Sequence, residues 1–196
     1  MNACNIIATG ESLKGFPLHR LNKHQPSNYS VNRAYRYVDC KYLVFYDFHG
    51  YNEFYDFGGQ MITITQNQLH KEDPDIMHFW HEGRHGFNYT KGRVSSINNS
   101  GFMAINVAIN MGFKRIYLLG YDMGWKYVPH FYDEPETYKP IFTYKDQKNF
   151  KVLCLPHFDG VVLPDGVEVI NVVNPDYMSN LKRFPTITQN EYLKLI

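Results

Sequence analysis

Apolar residues in this chain recur as short unbroken runs, each closed by a polar residue or a glycine. Residues 5–9 (Asn-Ile-Ile-Ala-Thr), closed by Gly10, form the first such run and read as a strand buried on both faces. Runs at 29–32 and 41–46 end in Asn32-Arg33 and Asp47 and read as neighbouring parallel strands. From 48 to 95 the pattern is broken by Gly, Asp, His and aromatic residues. Only 60–66 alternates well enough for a strand, so 48–95 is expected to be an irregular insertion.

The clearest helix is predicted over 98–111, with Asn98, Asn99 or Ser100 as its cap and Gly112 as the left-handed closing residue. It is apolar almost all round except at Asn106 and Asn110, one turn apart, which fits a helix packed deep against a sheet. Arg115-Ile116-Tyr117-Leu118-Leu119-Gly120 follows directly as another buried strand, completing half of a βαβ crossover. Residues 123–142 lack a period and read as a lid loop. A short helix near 143–150, a strand over 167–173, a turn at Asn174-Pro175-Asp176 and a terminal helix running to Leu195-Ile196 complete the pass. Thr188 and Glu191 have the capping-box spacing at the start of that last helix. The implied fold is a single α/β domain over 1–196, with a mostly parallel sheet, helices on both faces and a small lid or insertion.

Composition adds limits. Lys and Arg total 20 against 19 Asp and Glu, so no charge imbalance points to nucleic acid or to a membrane surface. Sixteen Tyr and fourteen Phe suit an aromatic-rich core, with a few rings available for stacking on a base or sugar. Cys4, Cys40 and Cys154 are odd in number and far apart, which fits reduced thiols and a cytoplasmic setting. The apolar run before Gly10 is too short for a signal peptide or a membrane span.

Open parallel sheets bind ligands outside the carboxyl ends of their strands. Those ends here are Thr9-Gly10-Glu11-Ser12, Asn32-Arg33, Asp47 and Gly120-Tyr121-Asp122, with Asn99-Ser100-Gly101 opening the main helix. Gly10 and Gly101 would admit close backbone approach, and free amides around Ser100-Gly101 would suit a phosphate. The three-glycine dinucleotide fingerprint and the P-loop are both absent, which argues against a nicotinamide or flavin enzyme and a common ATPase. His81-Glu82-Gly83-Arg84-His85 satisfies the zinc-protease pattern H-E-x-x-H, but Gly83 and Gly86 and the lack of an apolar stripe oppose a helix there. His78, His81 and His85 remain a candidate for adventitious metal binding.

In order and spacing, Asn5 to Lys14, Val31-Asn32-Arg33, Leu43 to Asp47, and Ser100-Gly101-Phe102-Met103-Ala104 running to Gly120-Tyr121-Asp122-Met123 resemble the bacterial sialyltransferases of glycosyltransferase family 42 and the related domain-of-unknown-function 115 proteins. His130-Phe131-Tyr132 matches a feature of short stand-alone members, often found in phage genomes. The resemblance spans roughly the first fifty and last hundred residues and implies a modified Rossmann-like domain binding a nucleotide or nucleotide-sugar, cytidine type favoured. It implies nucleotide contacts from Gly10, Ser12, Asn32, Asp47, Ser100, Gly101, Gly120 and Asp122, phosphate contacts from Tyr127 and Tyr132, and His130 as general base of a glycosyl transfer. It implies no cofactor firmly. Mg²⁺ would accompany an alternative diphosphate transfer resembling pterin pyrophosphokinases, and a non-catalytic module is a further alternative. The expected compartment is the cytoplasm of a bacterium or of a phage-infected host. Where the family's first loop reads Gly-x-Gly-Pro-Ser-Leu, this chain has Ala8 to Leu13 with Glu11, a carboxylate beside the implied phosphate site.

Overall fold

The computed structural model describes residues 2–46, 53–64, 73–83, 86–124, 130–132, 150–177 and 179–196. Its centre is a sheet of nine strands: β1 (Ala3–Ile7), β2 (Asn28–Val31), β3 (Tyr42–Val44), β4 (Gln60–Ile64), β5 (Ile76–His81), β6 (Arg93–Val94), β7 (Arg115–Leu119), β8 (Glu168–Val173) and β9 (Thr186–Thr188). The strand order is β6-β5-β4-β3-β2-β1-β7-β8-β9, and every pairing is parallel. The protein is therefore an α/β, Rossmann-like domain.

Both faces of the sheet are covered, which explains why its strands read as continuous apolar runs. On one face Cys4, Ile6, Ile116, Leu118 and Val169 pack against helix α1 (Ser100–Asn110) and Phe158 of helix α2 (Leu155–Asp159). On the other, Ile7, Leu119 and Val172 pack under 3₁₀ turns at Glu11–Leu13 and Leu18–Ser27 and against Tyr192 of helix α3 (Gln189–Tyr192). A polar chain crosses that second face: the Tyr192 hydroxyl donates to Asn5 Oδ1 at 2.7 Å, and Asn5 Nδ2 donates to Asn28 Oδ1 at 2.9 Å. It pins the carboxyl terminus to the first two strands without leaving a buried polar group unmatched.

Helix α1 forms where its sequence signals it. Asn99 Oδ1 accepts from the Phe102 amide at 2.8 Å, and Gly112 closes the helix at φ +87°. The Gly112 and Phe113 amides then reach the Ile109 and Ala108 carbonyls, the paired bonds of a Schellman ending. The polar stripe of this helix does not face water. Asn106 is fully buried; its Oδ1 accepts from the Asn88 and Ser95 amides at 2.9 and 2.8 Å, and its Nδ2 donates to the Asn88 carbonyl at 2.7 Å. Asn110 Nδ2 adds a bond to the same carbonyl at 2.9 Å. The two asparagines thus clamp the irregular segment that precedes their own helix.

Several expectations are corrected. Residues 48–95 are less irregular than expected: β4 forms within the foreseen 60–66, and the described part of the range also holds β5 and β6, which extend the sheet to its edge. Polar and glycine breaks hid strands as short as the two residues of β6. Helical structure begins at Phe150 as one π turn and continues to Asp159, whereas 143–149 lie outside the described residues. β9 was not foreseen. The terminal helix keeps its capping box at Thr188 and Glu191 but ends at Tyr192, after which Lys194 and Leu195 make single turns back to Glu191 and Tyr192.

The Asn106 clamp generates a test. Asn106→Ala leaves the Asn88 and Ser95 amides without their acceptor, the Asn88 carbonyl keeping its bond from Asn110, and should lower unfolding free energy by about 2 kcal/mol, read from urea denaturation with an unchanged slope.

Candidate functional site at the sheet's switch point

β2 to β6 succeed one another on one side of β1, and the chain then returns to lay β7, β8 and β9 on the other side. The switch point therefore falls between β1 and β7, where loops leave their carboxyl ends in opposite directions and a crevice opens. A cavity of about 160 Å³ lies there. Its walls include Thr9 and Gly10 after β1, Asn32 after β2, Asn99 to Gly101 at the start of α1, Gly120 to Gly124 after β7, and His130.

Two glycines let the floor close. Gly10 N donates to the Gly120 carbonyl at 3.1 Å, continuing the β1–β7 ladder past the strands. A Cβ on Gly10 would collide with that carbonyl oxygen and lie 2.5 Å from Asp122 Oδ2. Gly120 turns the chain at φ +73°, and a Cβ there would meet the Ala8 carbonyl oxygen and Gly10 N at 3.1 Å. No other residue type allows both this backbone approach and this turn.

Asp122 holds the loop. Its Oδ2 accepts from the Ser12 amide at 2.8 Å, so the carboxylate braces the first turn after β1 from below. Burial pushes its carboxyl up to about 6; the Ser12 hydrogen bonds oppose this shift and the Glu11 charge adds to it. Glu11 itself is 1% exposed and is not part of the cavity wall, so the carboxylate expected beside a phosphate is buried away from the cavity. Ser12 likewise sits under the floor, contributing its amide to Asp122 rather than a group to the cavity.

The start of α1 supplies donors. Asn99 occupies the Phe102 amide, which leaves the amides of Ser100 and Gly101 as first-turn donors that the cap does not use. Ser100 Oγ accepts from the Tyr46 amide at 3.0 Å, tying the end of β3 to the helix start. Gly101 makes room for the buried Tyr121 ring, whose hydroxyl donates to the Gly101 carbonyl at 3.0 Å. Asn32 adopts φ +51° where β2 ends, a conformation asparagine tolerates better than most side chains.

His130 reaches the cavity because its neighbour docks on the β1 end: Phe131 N donates to the Thr9 carbonyl at 3.2 Å. The imidazole stacks on Tyr132 with ring centroids 5.2 Å apart and planes at 9°, and Tyr132 stacks in turn on Tyr37 at 4.9 Å. Burial lowers the His130 pKa below the ordinary histidine range; the Thr9 backbone contact opposes this, and the nearby Arg33 charge reinforces it. The ring is thereby kept neutral, the state a proton acceptor needs.

Of the candidate residues, Gly10, Asn32, Ser100, Gly101, Gly120, Asp122 and His130 converge on one cavity. Ser12 lies under it and Tyr132 stacks behind His130. Asp47 and Tyr127 lie outside the described residues. Asn99 and Tyr121 were not among the implied contacts; the expected capping position is filled by Asn99, and the role of Tyr121 becomes visible only through its bond to the Gly101 carbonyl. The described part of the H-E-x-x-H stretch, residues 81–83, is not helical: His81 ends β5 and Gly83 has φ +87°. His78 and His81, three apart on a strand, face opposite sides of the sheet, and His85 lies outside the described residues. Among the described residues, no group of three or more His, Cys, Asp or Glu side chains is arranged to hold a metal ion. Nor is any described helix long and apolar enough to cross a membrane.

No family model matches the chain, and no curated protein matches it. Among solved structures it is similar to the sialyltransferase CstII from Campylobacter jejuni, determined in complex with the substrate analogue CMP-3FNeuAc. The two share 12% identity at a TM-score of 0.49, over 95% of this chain and 86% of the other.

The Asp122 carboxyl titrates higher in the folded chain than in the unfolded one, so the folded state keeps a proton that the unfolded state has already released. Its contribution to stability is complete below the unfolded carboxylate range and is lost as pH rises through about 6. Asp122→Asn keeps an acceptor for the Ser12 amide and removes the titration. Thermal melts from pH 4 to pH 8 should show the wild type losing stability relative to this variant as pH rises.

Proposed function

We propose that the protein binds a nucleotide or nucleotide-sugar, cytidine type favoured, in the cavity between β1 and β7, and that it transfers the sugar to an acceptor hydroxyl with His130 as general base. The observation that carries this reading is the meeting, at the switch point of a parallel sheet, of uncommitted amides at the start of α1 with a neutral, oriented imidazole. The amides of Ser100 and Gly101 would receive phosphate oxygens, and Gly10 and Gly120 would let the ligand approach the main chain. Asn32 would contact the ribose or base from the end of β2.

In the transfer, the acceptor oxygen forms the new glycosidic bond while the bond from the sugar to the nucleotide phosphate breaks. His130 takes the hydroxyl proton, and the departing phosphate keeps the bonding electron pair, its charge stabilised by the helix-start amides. Tyr132, stacked on the imidazole, fixes the ring plane for that step.

A thermal-shift screen against cytidine, uridine, guanosine and adenosine nucleotides should raise the melting temperature with cytidine nucleotides first, since a ligand bound only by the native state stabilises it. A flat screen rejects the reading. With a donor and acceptor in hand, His130→Ala should reduce kcat by about 10²–10⁴-fold. The wild-type rate should fall on the acid side along a limb whose pKa lies below the ordinary histidine range. Unchanged turnover in the variant would remove His130 from the chemistry.

A further inference from the structure

The cavity is smaller than its proposed ligand. Sites that enclose small molecules run from about 300 to 1,000 Å³, so a nucleotide-sugar in a cavity of about 160 Å³ must continue along the sheet edge. Described residues already occupy the rim on two sides. Phe131 sits on the Thr9 carbonyl beside β1, and Asn180 caps the turn after β7 through bonds to the Asp122 and Met123 carbonyls at 2.8 and 2.9 Å. Toward β3 the rim is continuous, because Ser100 of the cavity wall accepts from the Tyr46 amide at 3.0 Å.

Beyond Tyr46 stands His81. The two rings meet edge to face with centroids 6.4 Å apart, and His81 Nε2 lies 3.0 Å from Ser96 Oγ. Tyr46 follows β3, His81 ends β5 and Ser96 follows β6, so all three belong to the same carboxyl edge as the cavity. Ser96 is fully buried, while both rings are partly open to solvent. An imidazole anchored by a buried hydroxyl is a preorganised hydrogen-bonding group, and a half-exposed tyrosine beside it offers an apolar face; together these are groups that sugar hydroxyls and ring C–H groups recognise. β5 is two strands beyond β3, about 10 Å along the edge at the usual strand spacing, which is within reach of a sugar linked through a phosphate.

We propose that His81, with Tyr46 and Ser96, forms a sugar subsite on the carboxyl edge, receiving the glycosyl part of a nucleotide-sugar whose nucleotide lies between β1 and β7. The proposal rests on the nucleotide reading above. It also accounts for the first histidine of the H-E-x-x-H stretch by a strand-end role in place of a metal.

Calorimetric titration with two probes, CMP and CMP-N-acetylneuraminate, tests it. His81→Ala should leave the Kd for CMP within twofold of wild type and weaken CMP-N-acetylneuraminate about tenfold, with His81→Gln recovering part of the loss by restoring a hydrogen-bonding amide. Ser96→Ala should weaken the sugar-bearing probe alone, by a smaller factor, and it carries the same comparison if His81→Ala melts too low to titrate. Equal weakening of both probes, or of neither, overturns the subsite while leaving the nucleotide site standing. Failure of wild type to bind CMP overturns the nucleotide reading and the subsite with it.

Discussion

The contact on which the site depends is the approach of two main chains, at Gly10 and Gly120, just past the ends of β1 and β7. These central strands belong to opposite arms of the sheet, so the loops leaving them would diverge without a tie. The hydrogen bond from Gly10 to the Gly120 carbonyl is that tie, and a side chain at either position would force it open. Once it is made, the Asp122 carboxylate comes under the loop and takes the Ser12 amide. The cavity floor is therefore made of backbone, with a buried carboxylate as its brace.

That brace has an electrostatic consequence. A phosphate over an ionised Asp122 would meet repulsion across low-dielectric protein, and because burial pushes that carboxyl up to about 6 the repulsion is relieved only as pH falls toward that value. Glu11 adds to the shift on Asp122, yet it is itself buried and not at the cavity wall. The cavity is also walled by the start of α1, whose first-turn amides are neutral donors, and by His130, whose pKa burial lowers.

Elsewhere, asparagine side chains do the joining that long loops leave undone. Asn106 and Asn110 fasten the segment before α1, Asn5 and Asn28 link the first two strands to Tyr192, and Asn180 closes the turn after β7. An amide side chain both donates and accepts, so it can satisfy two unpaired main-chain groups at once without burying a charge. This places α1 rigidly, and with it the donors at its first turn.

Much of the framework is written in local pattern. The apolar runs of β1, β2, β7 and β8 require burial on both faces, Asn99 and Gly112 mark the limits of α1, and Thr188 with Glu191 starts α3, because each of these is a contact between residues close in the chain. The strand-end position of Gly10, Asn32, Ser100, Gly120 and Asp122 was legible for the same reason. What the sequence could not decide is which distant pieces meet. β5, with His78 and His81 among its apolar residues, and the two-residue β6 carry no clear alternation, and only pairing with neighbours makes them part of the sheet. Glu11 and Ser12 looked like cavity residues beside Gly10, but both are buried outside the cavity wall, the Ser12 amide committed to Asp122 across 110 positions. His81 looked like half of a metal motif, and strand geometry sent it to the carboxyl edge beside Tyr46 and Ser96. Local spacing determines strands, caps and turns because their energies are local; the site's floor and rim are set by contacts between residues from about fifty to more than a hundred positions apart, which no local pattern encodes.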